Sequence, residues 1–466
     1  MMRVRRFRPR VLEIGDVELF SALGQLREHE RPVLLDSAAG DPRTWSVLGF
    51  DPLDIALESA AGVLAPRLAL RNLVFEAGDA LPGPFHGGFL GAFAYDLGVL
   101  GERGVQCAPE PFGFAPLIGG VYCDFLVRDE RSRRTWLVLG DTPGDARQAL
   151  DRRRERIMHE LGRARPATAL KAGVLGRCVN ADEHCARVER CRASISRGEL
   201  YQANLAHRFT CEVEGAPVDW YARLREVNPA PYMGFAAFEQ GALLSASPEL
   251  LFEFESASGR ARTRPIKGTA ARQVDALEDE RAKRALLASQ KDRAELAMIV
   301  DLERNDLGRI ARAGGVWVED FPHVASLARV HHTMADVVAD IRPGLDACDV
   351  LAALFPGGSV TGAPKLSAMD VIADLEGEGR GFFCGSLGFV DTRGQAAFNI
   401  LIRTLLWRPR PGASGRGEVS FRVGGGITWS SLARAEERET LDKAAGLIAA
   451  LQPEGECRLG RLGPIA

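Results

Sequence analysis

Lys267 sits in the run Thr263-Arg264-Pro265-Ile266-Lys267-Gly268-Thr269, where a glycine lets backbone and ligand approach closely. A lysine is a nucleophile only when neutral, so its ordinary pKa near ~10.4 must be lowered by burial or neighbouring cations. Taken alone, such a lysine reads more readily as a solvated surface cation. Glu249, in Ser245-Ala246-Ser247-Pro248-Glu249, has the makings of a buried acid, or of a carboxylate capping a turn. Near the end of the chain Glu436, Glu439 and Lys443 fall at steps of three and four, so they share one helix face. Glu295 lies beside Met298-Ile299-Val300 on another predicted helix. Two helices that each offer a carboxylate could hold Mg²⁺, which takes few protein oxygens and keeps positions open for water and substrate. A solvated acidic face with an i,i+4 ion pair is the competing reading.

Two glycine-rich stretches could offer backbone N–H groups to an anion: Pro356 to Lys365, and Gly424-Gly425-Gly426. Neither has the order of a nucleotide-binding loop, and tight turns explain them as well. Arg403 and Arg422 are each able to fork a carboxylate, or to pair with a core-facing acid.

The elements that must position these residues follow from periodicity and punctuation. From Val33 to about Arg128, short apolar runs broken by glycine and proline predict strands and tight turns, and Asp145 to Arg163 reads as a charged helix. Ala164 to Ala169 has linker composition, which divides the chain into domains 1–165 and 172–455. Helices are predicted over Ala181–Gly198, Leu277–Leu307, Leu345–Leu354, Lys365–Leu375 and Ala433–Leu451. Gly234–Glu255 reads as two strands, with further strands at Ala396–Trp407 and Glu418–Val423. Hairpins with helices between them favour an α+β fold, a two-layer sandwich of largely antiparallel sheets flanked by helices. With 466 residues, 46% hydrophobic, the chain can bury a large core. Lys+Arg 59 against Asp+Glu 62 gives a net charge of -3, so no global basic field points to nucleic acid. Scattered cysteines argue against a disulfide framework or zinc site, and no long uncharged apolar run or signal peptide is seen. A soluble, cytoplasmic protein is expected.

Taken jointly, from about Arg192 to Leu451, the motifs resemble the chorismate-utilising enzymes. The matching runs, in the family's order, are Gly198 to Leu205, Ser247-Pro248-Glu249, Pro265 to Thr269, Ile299 to Gly308, Gly358 to Lys365, Gly424 to Ile427 and Glu436 to Lys443. Within the family, anthranilate synthases resemble Pro-Ile-Ala-Gly-Thr where this chain has Pro265-Ile266-Lys267-Gly268-Thr269. Lysine there resembles component I of aminodeoxychorismate synthase. The resemblance to that branch implies amination of chorismate, with Lys267 as covalent nucleophile and Glu249 as general acid.

Position by position, the resemblance implies Glu295 and Glu439 as Mg²⁺ carboxylates, with Glu436 acting through water. It implies that Thr269, Gly268, Arg403, Gly424, Gly426 and Lys443 contact substrate, with His332 of His331-His332 near the ring. Phe383 stands where several relatives carry a hydroxylated aromatic, which implies one polar contact fewer. Leu34-Leu35-Asp36-Ser37-Ala38 and Gly87 to Asp96 resemble the family's N-terminal region, where relatives bind tryptophan, so Asp36 and Ser37 mark a possible tryptophan site. No segment resembles a glutaminase, so a separate glutamine amidotransferase subunit supplying ammonia is the partner the resemblance implies.

Overall fold

The computed structural model describes residues 5–26, 29–37, 45–55, 57, 59–71, 73–76, 78–101, 108–141, 147–163, 168–326, 330–413, 415–452 and 459–461. Side chains alternate across each strand, and here both faces of most strands are apolar. In the strand Tyr232–Phe238, Phe235 clusters with Trp220, Tyr221 and Leu447, whereas its neighbour Ala236 clusters with Leu90 and Leu387. Leu243 and Leu244 of the strand Gly241–Ser247 part in the same way. Each such strand therefore needs cover on two sides, and the result is a sandwich of two sheets with helices outside it.

The larger sheet runs through Gln202–Glu214, Arg416–Ile427, Thr404–Pro409, Gly241–Ser247, Tyr232–Phe238, Val33–Asp36, Trp45–Gly49 and Phe125–Asp129. The smaller one runs through Ile266–Ala271, Val330–Ile341, Arg260–Arg264, Leu250–Glu255, Ala396–Asn399, Ser386–Asp391, Gly88–Phe93 and Leu117–Tyr122. All of these neighbours pair antiparallel. Helices Pro217–Val227 and Ala433–Leu451 cover the outer face of the first sheet. Gln290–Gly308 and Ala347–Leu354 cover that of the second through Leu296, Val300, Leu351 and Leu354.

The strand Val33–Asp36 pairs with Tyr232–Phe238, and Gly88–Phe93 with Ser386–Asp391. Strands from both sides of the expected boundary at residue 165 thus continue the same two sheets, and backbone ladders join 1–165 to 172–455. Residues 164–167 of the expected linker lie outside the described residues, as do residues 1–4 and Ala38.

Three predicted elements are divided in the structure, and the divisions matter. The single helix expected over Leu277–Leu307 is two, Ala276–Ala288 and Gln290–Gly308, because Ser289 adopts an extended backbone and its side chain accepts from Asp292 N as an N-cap. Gly234–Glu255 is not two strands but three. Gly241–Ser247 belongs to the larger sheet and Leu250–Glu255 to the smaller, so the chain changes sheets at Pro248-Glu249, where proline cannot donate to a ladder. Ala396–Trp407 changes sheets in the other direction: Ala396–Asn399 lies in the smaller sheet, Thr404–Pro409 in the larger, and Arg403 between them has φ +52°. The two crossings clasp each other. Ile400 N donates to Glu249 O and Ala246 N to Arg403 O, both at 3.0 Å, and Ser247 Oγ donates to Ile400 O at 2.5 Å.

The paired strands Ala311–Ser326 and Val330–Ile341 were not anticipated, since their polar residues obscure the period-two signal. Among the described residues, no helix is long and apolar enough to cross a membrane.

Candidate active site

Glu249 and Arg403 occupy the two sheet crossings, where a side chain can point along the gap between the sheets. Glu249 is only 5% exposed and its Oε1 has no hydrogen-bond partner. Burial pushes its carboxyl above the ordinary value, opposed by Lys267, Ser359, the Ile266 amide and Arg403. Arg403 forms no side-chain hydrogen bond or ion pair among the described residues, and burial draws its guanidinium down while Glu249 holds it up. A left-handed backbone on a non-glycine residue, carrying an unpaired arginine, is strain held in place by the surrounding ladder. The available partner for such a guanidinium is an anionic ligand.

Lys267 enters from the strand Ile266–Ala271 and donates to the Ser359 carbonyl at 3.4 Å. Burial lowers its ammonium below the usual lysine range; Glu249 opposes this, Lys443 adds to it, and Glu295 and Glu439 oppose it again. The pair is therefore biased toward a neutral amine beside a neutral acid. Gly268, φ +78°, makes a bulge after Lys267, so that the register moves from Lys267↔Thr333 to Thr269↔His332. A Cβ there would also stand 3.0 Å from Leu286 Cδ1 and Asp292 Cγ. Thr269 Oγ1 and His332 Nδ1 are 2.9 Å apart, and His332 Nε2 is buried without a partner. Burial first, then Arg403, pushes His332 down to about 4, so it is neutral at pH 7. Its neighbour His331 is fully engaged, Nδ1 with Ser326 Oγ at 2.8 Å and Nε2 with Asp279 Oδ1 at 3.0 Å. Of the two adjacent histidines, His332 is the one free to meet a ligand.

The glycine triplet lies in the strand Arg416–Ile427, paired with Asn204, Leu205 and Ala206. Cβ atoms on Gly424 and Gly426 would lie 2.6 Å from Leu205 O and 2.1 Å from Gln202 Nε2, so bare backbone is required there. Lys443 Nζ donates to the Gly424 carbonyl at 3.1 Å and pairs with Glu439 at 2.8 Å.

A buried amine–carboxyl pair, an arginine without a bond partner and a bare glycine strand beside helical carboxylates are groups suited to a small acid. The sequence model of chorismate binding enzymes matches residues 45–449. The chain belongs to that family. It is 36% identical over 444 residues to the anthranilate synthase component 1 of Streptomyces coelicolor, covering 91% of this chain and 84% of that protein. To the aminodeoxychorismate synthase component 1 of Klebsiella aerogenes it is 35% identical over 409 residues, covering 88% and 85%. The crystal structure of anthranilate synthase component I from Streptococcus pneumoniae superposes with a TM-score of 0.72 at 28% identity, over 87% of this chain and 92% of that one.

For a chorismate binding enzyme with Mg²⁺, the acids on the final helix offer suitable donors. The Cβ position of Gly425 is 3.5 Å from Glu436 Oε2, 3.7 Å from Lys443 Nζ and 3.8 Å from Glu439 Oε1, so two carboxylates and an ammonium converge where a side chain is missing. Glu436 is raised by burial, lowered by Ser431 and raised again by Glu439, and a cation would relieve that repulsion. Against burial, Lys443 and Lys291 hold Glu439 low. Glu295, on the helix Gln290–Gly308, has Lys291 3.9 Å away and is felt by Lys267. Among the described residues no three His, Cys, Asp or Glu are grouped closely enough to hold a metal ion, so Glu295 does not complete a three-carboxylate set with Glu436 and Glu439 in this structure. Hard oxygen donors with open positions are what Mg²⁺ accepts.

Other candidates have structural work. Arg422 pairs with Glu378 at 2.8 Å and donates to Gly379 O at 2.7 Å, so of the two arginines it is the core ion pair. Lys365 is paired with Asp306 at 2.5 Å and takes no ligand role. Phe383 is buried beneath the Arg380 guanidinium. Asp36 and Ser37 do not join the Lys267 site. They line a separate cavity of about 590 Å³ with Tyr232, Met233, Phe398 and Asn399. Asp36 accepts from Arg225 at 2.8 Å and Tyr221 at 3.1 Å. Sequence reasoning took in Ser359 only as part of the stretch Pro356 to Lys365 and missed Lys291, a lysine on an exposed helical face that no pattern marks.

Proposed function

We propose that this chain is the component I of an aminodeoxychorismate synthase, converting chorismate and ammonia to 4-amino-4-deoxychorismate and water. The observation that carries the reading is Lys267: a desolvated lysine beside a buried acid, at the position where the anthranilate synthase pattern has alanine. The neutral amine attacks C2, both double bonds of the ring diene shift toward C4, and the C4 hydroxyl leaves as water with the proton of Glu249. Ammonia then adds at C4, the double bond returns, and the lysine is expelled, with the Glu249 carboxylate taking the proton released. Arg403, Lys443, Thr269, His332 and the backbone at Gly424 and Gly426 orient the dianion. Glu295, Glu436 and Glu439 would hold Mg²⁺, which supplies charge neutralisation for a substrate carboxylate when bound. A glutaminase subunit delivers the ammonia, the reaction takes place in the cytoplasm, and the product feeds para-aminobenzoate and folate synthesis. Tryptophan is the proposed occupant of the cavity at Asp36 and Ser37.

The second reading is anthranilate synthase component I, favoured by relatives of that name at similar identity. Incubation with chorismate, Mg²⁺ and ammonium, followed by mass analysis, separates the two. 4-Amino-4-deoxychorismate with abolition by Lys267→Ala supports the proposal; anthranilate formed without a further enzyme refutes it.

A further inference from the structure

Glu303 is 3% exposed on the helix Gln290–Gly308, and the reaction above gives it no part. Its neighbour Leu302 packs on the turn Gly358–Val360: a Cβ on Gly358 would lie 2.7 Å from Leu302 Cδ2. That contact seats this part of the helix behind the turn whose Ser359 bears on both Lys267 and Glu249. Thr263, buried on the strand that leads into Lys267, donates through Oγ1 to Glu303 Oε2 at 2.9 Å. Among the described residues no other donor to that carboxyl is found. Two buried carboxyls therefore stand in succession, Glu249 at the site and Glu303 behind it, with one hydroxyl serving the second.

Three other acids near this helix have partners. Asp306, one turn on, is paired with Lys365; Asp336 is held by Arg264 at 2.6 Å and Asp349 by Arg67 at 2.6 Å. Glu303 and Glu249 are left to sense each other, and both cannot ionise in a dry pocket without a large cost. Burial pushes Glu303 up to about 8, with Thr263 opposing, Glu249 adding, Lys365 opposing and Asp306 adding.

We propose that Glu303 is a positioning residue for the reaction, a second buried carboxyl that acts through Glu249 and governs how readily Glu249 gives up its proton. The inference rests on Glu249 being the acid of the proposed amination. While neutral, Glu303 leaves Glu249 free to cycle between acid and carboxylate. Once ionised, it opposes the charged form of Glu249 and favours the ammonium of Lys267, and both effects slow the reaction.

The test is the pH profile of kcat/KM for chorismate at constant free ammonia, in the wild type, Glu303→Gln and Thr263→Val, with thermal denaturation of each across the same range. The wild type is expected to lose activity through a limb near pH 8 that Glu303→Gln lacks. Thr263→Val removes the bond that holds Glu303 down and moves the limb to higher pH. Because the folded value exceeds the ordinary 4.5, the wild type sheds stability as pH rises from about that value through about 8. Glu303→Gln should therefore gain in Tm over the wild type across that window. An unchanged limb in Glu303→Gln, or a uniform loss of rate with no change of profile, overturns the proposal, as does a Tm difference independent of pH. A wild type that leaves chorismate untouched refutes the functional reading instead, and the Tm comparison still tests the proton on Glu303.

Discussion

Replacing Glu249 by glutamine separates proton donation from everything else this residue does. The substitution keeps the shape and leaves the backbone clasp with Ile400 and Ser247 in place, so the fold should tolerate it. General acid–base catalysis is worth about 10²–10⁴-fold, or about 2.7–5.4 kcal/mol at about 1.36 kcal/mol per tenfold. His332 cannot stand in for the lost acid, since it lies at about 4 and carries no acidic proton to give at pH 7. A loss of kcat on the order of 10³-fold is expected, within the range for such groups. The same change acts on Lys267 in the opposite direction. Glu249 is the strongest charge supporting the Lys267 ammonium, so its removal drives the lysine further toward the free amine. Amine-reactive labelling of Lys267, followed by peptide mass across pH 6–10 (about the range between the ordinary histidine and lysine values), should show reactivity moving to lower pH while turnover collapses. A kcat within tenfold of wild type, with Lys267 labelled as before, would refute the assignment of Glu249 as the acid.

Arg403→Met should raise KM for chorismate by about 10–150-fold, the equivalent of one charged hydrogen bond at ~1.5–3 kcal/mol, with little change in Tm because the guanidinium forms no hydrogen bond or ion pair among the described residues; steady-state kinetics and a melting curve check both. Gly424→Ala should cost about 1–3 kcal/mol by overpacking, since its Cβ meets the Leu205 carbonyl at 2.6 Å, and urea denaturation reads it directly. Chelation with EDTA should abolish turnover of chorismate and Mg²⁺ restore it; undiminished activity after exhaustive chelation removes the metal from the proposal. His29, between Asp51 at 2.5 Å and Glu160 at 2.7 Å, has its imidazolium lowered by burial but raised overall by the two carboxylates. Its stabilising contribution is complete below the ordinary histidine value, near ~6.5, and is lost as pH rises through the raised one. The urea midpoint gap between wild type and His29→Ala should accordingly shrink from pH 6 to pH 9, and a constant gap would rule this out.

Much of the site was readable in the chain because short motifs carry strong local constraints. Gly268 has φ +78° at a bulge, and Gly424 and Gly426 lie against a neighbouring strand with no room for a side chain, so those positions declare themselves as glycine. The face shared by Glu436, Glu439 and Lys443 follows from helical geometry alone, and the helix Ala433–Leu451 bears it out. The sandwich was legible in the same way, from short apolar runs punctuated by turns.

What local pattern could not supply was the consequence of distance along the chain. A strand keeps the same residue preferences when it leaves one sheet for another, so the crossings at Glu249 and Arg403 are invisible in sequence, yet they bring the acid and the arginine within electrostatic reach of each other. Whether Arg403 or Arg422 would be free depended on which found Glu378, and whether His331 or His332 would be free depended on Asp279, a partner 52 residues away. The desolvation that shifts Lys267 and Glu249 is likewise a property of assembled walls, since burial is set by elements that meet only in the folded protein. Residue types and spacing thus determined which groups are present, and tertiary packing decided which of them keep their charge, their partners and their reach.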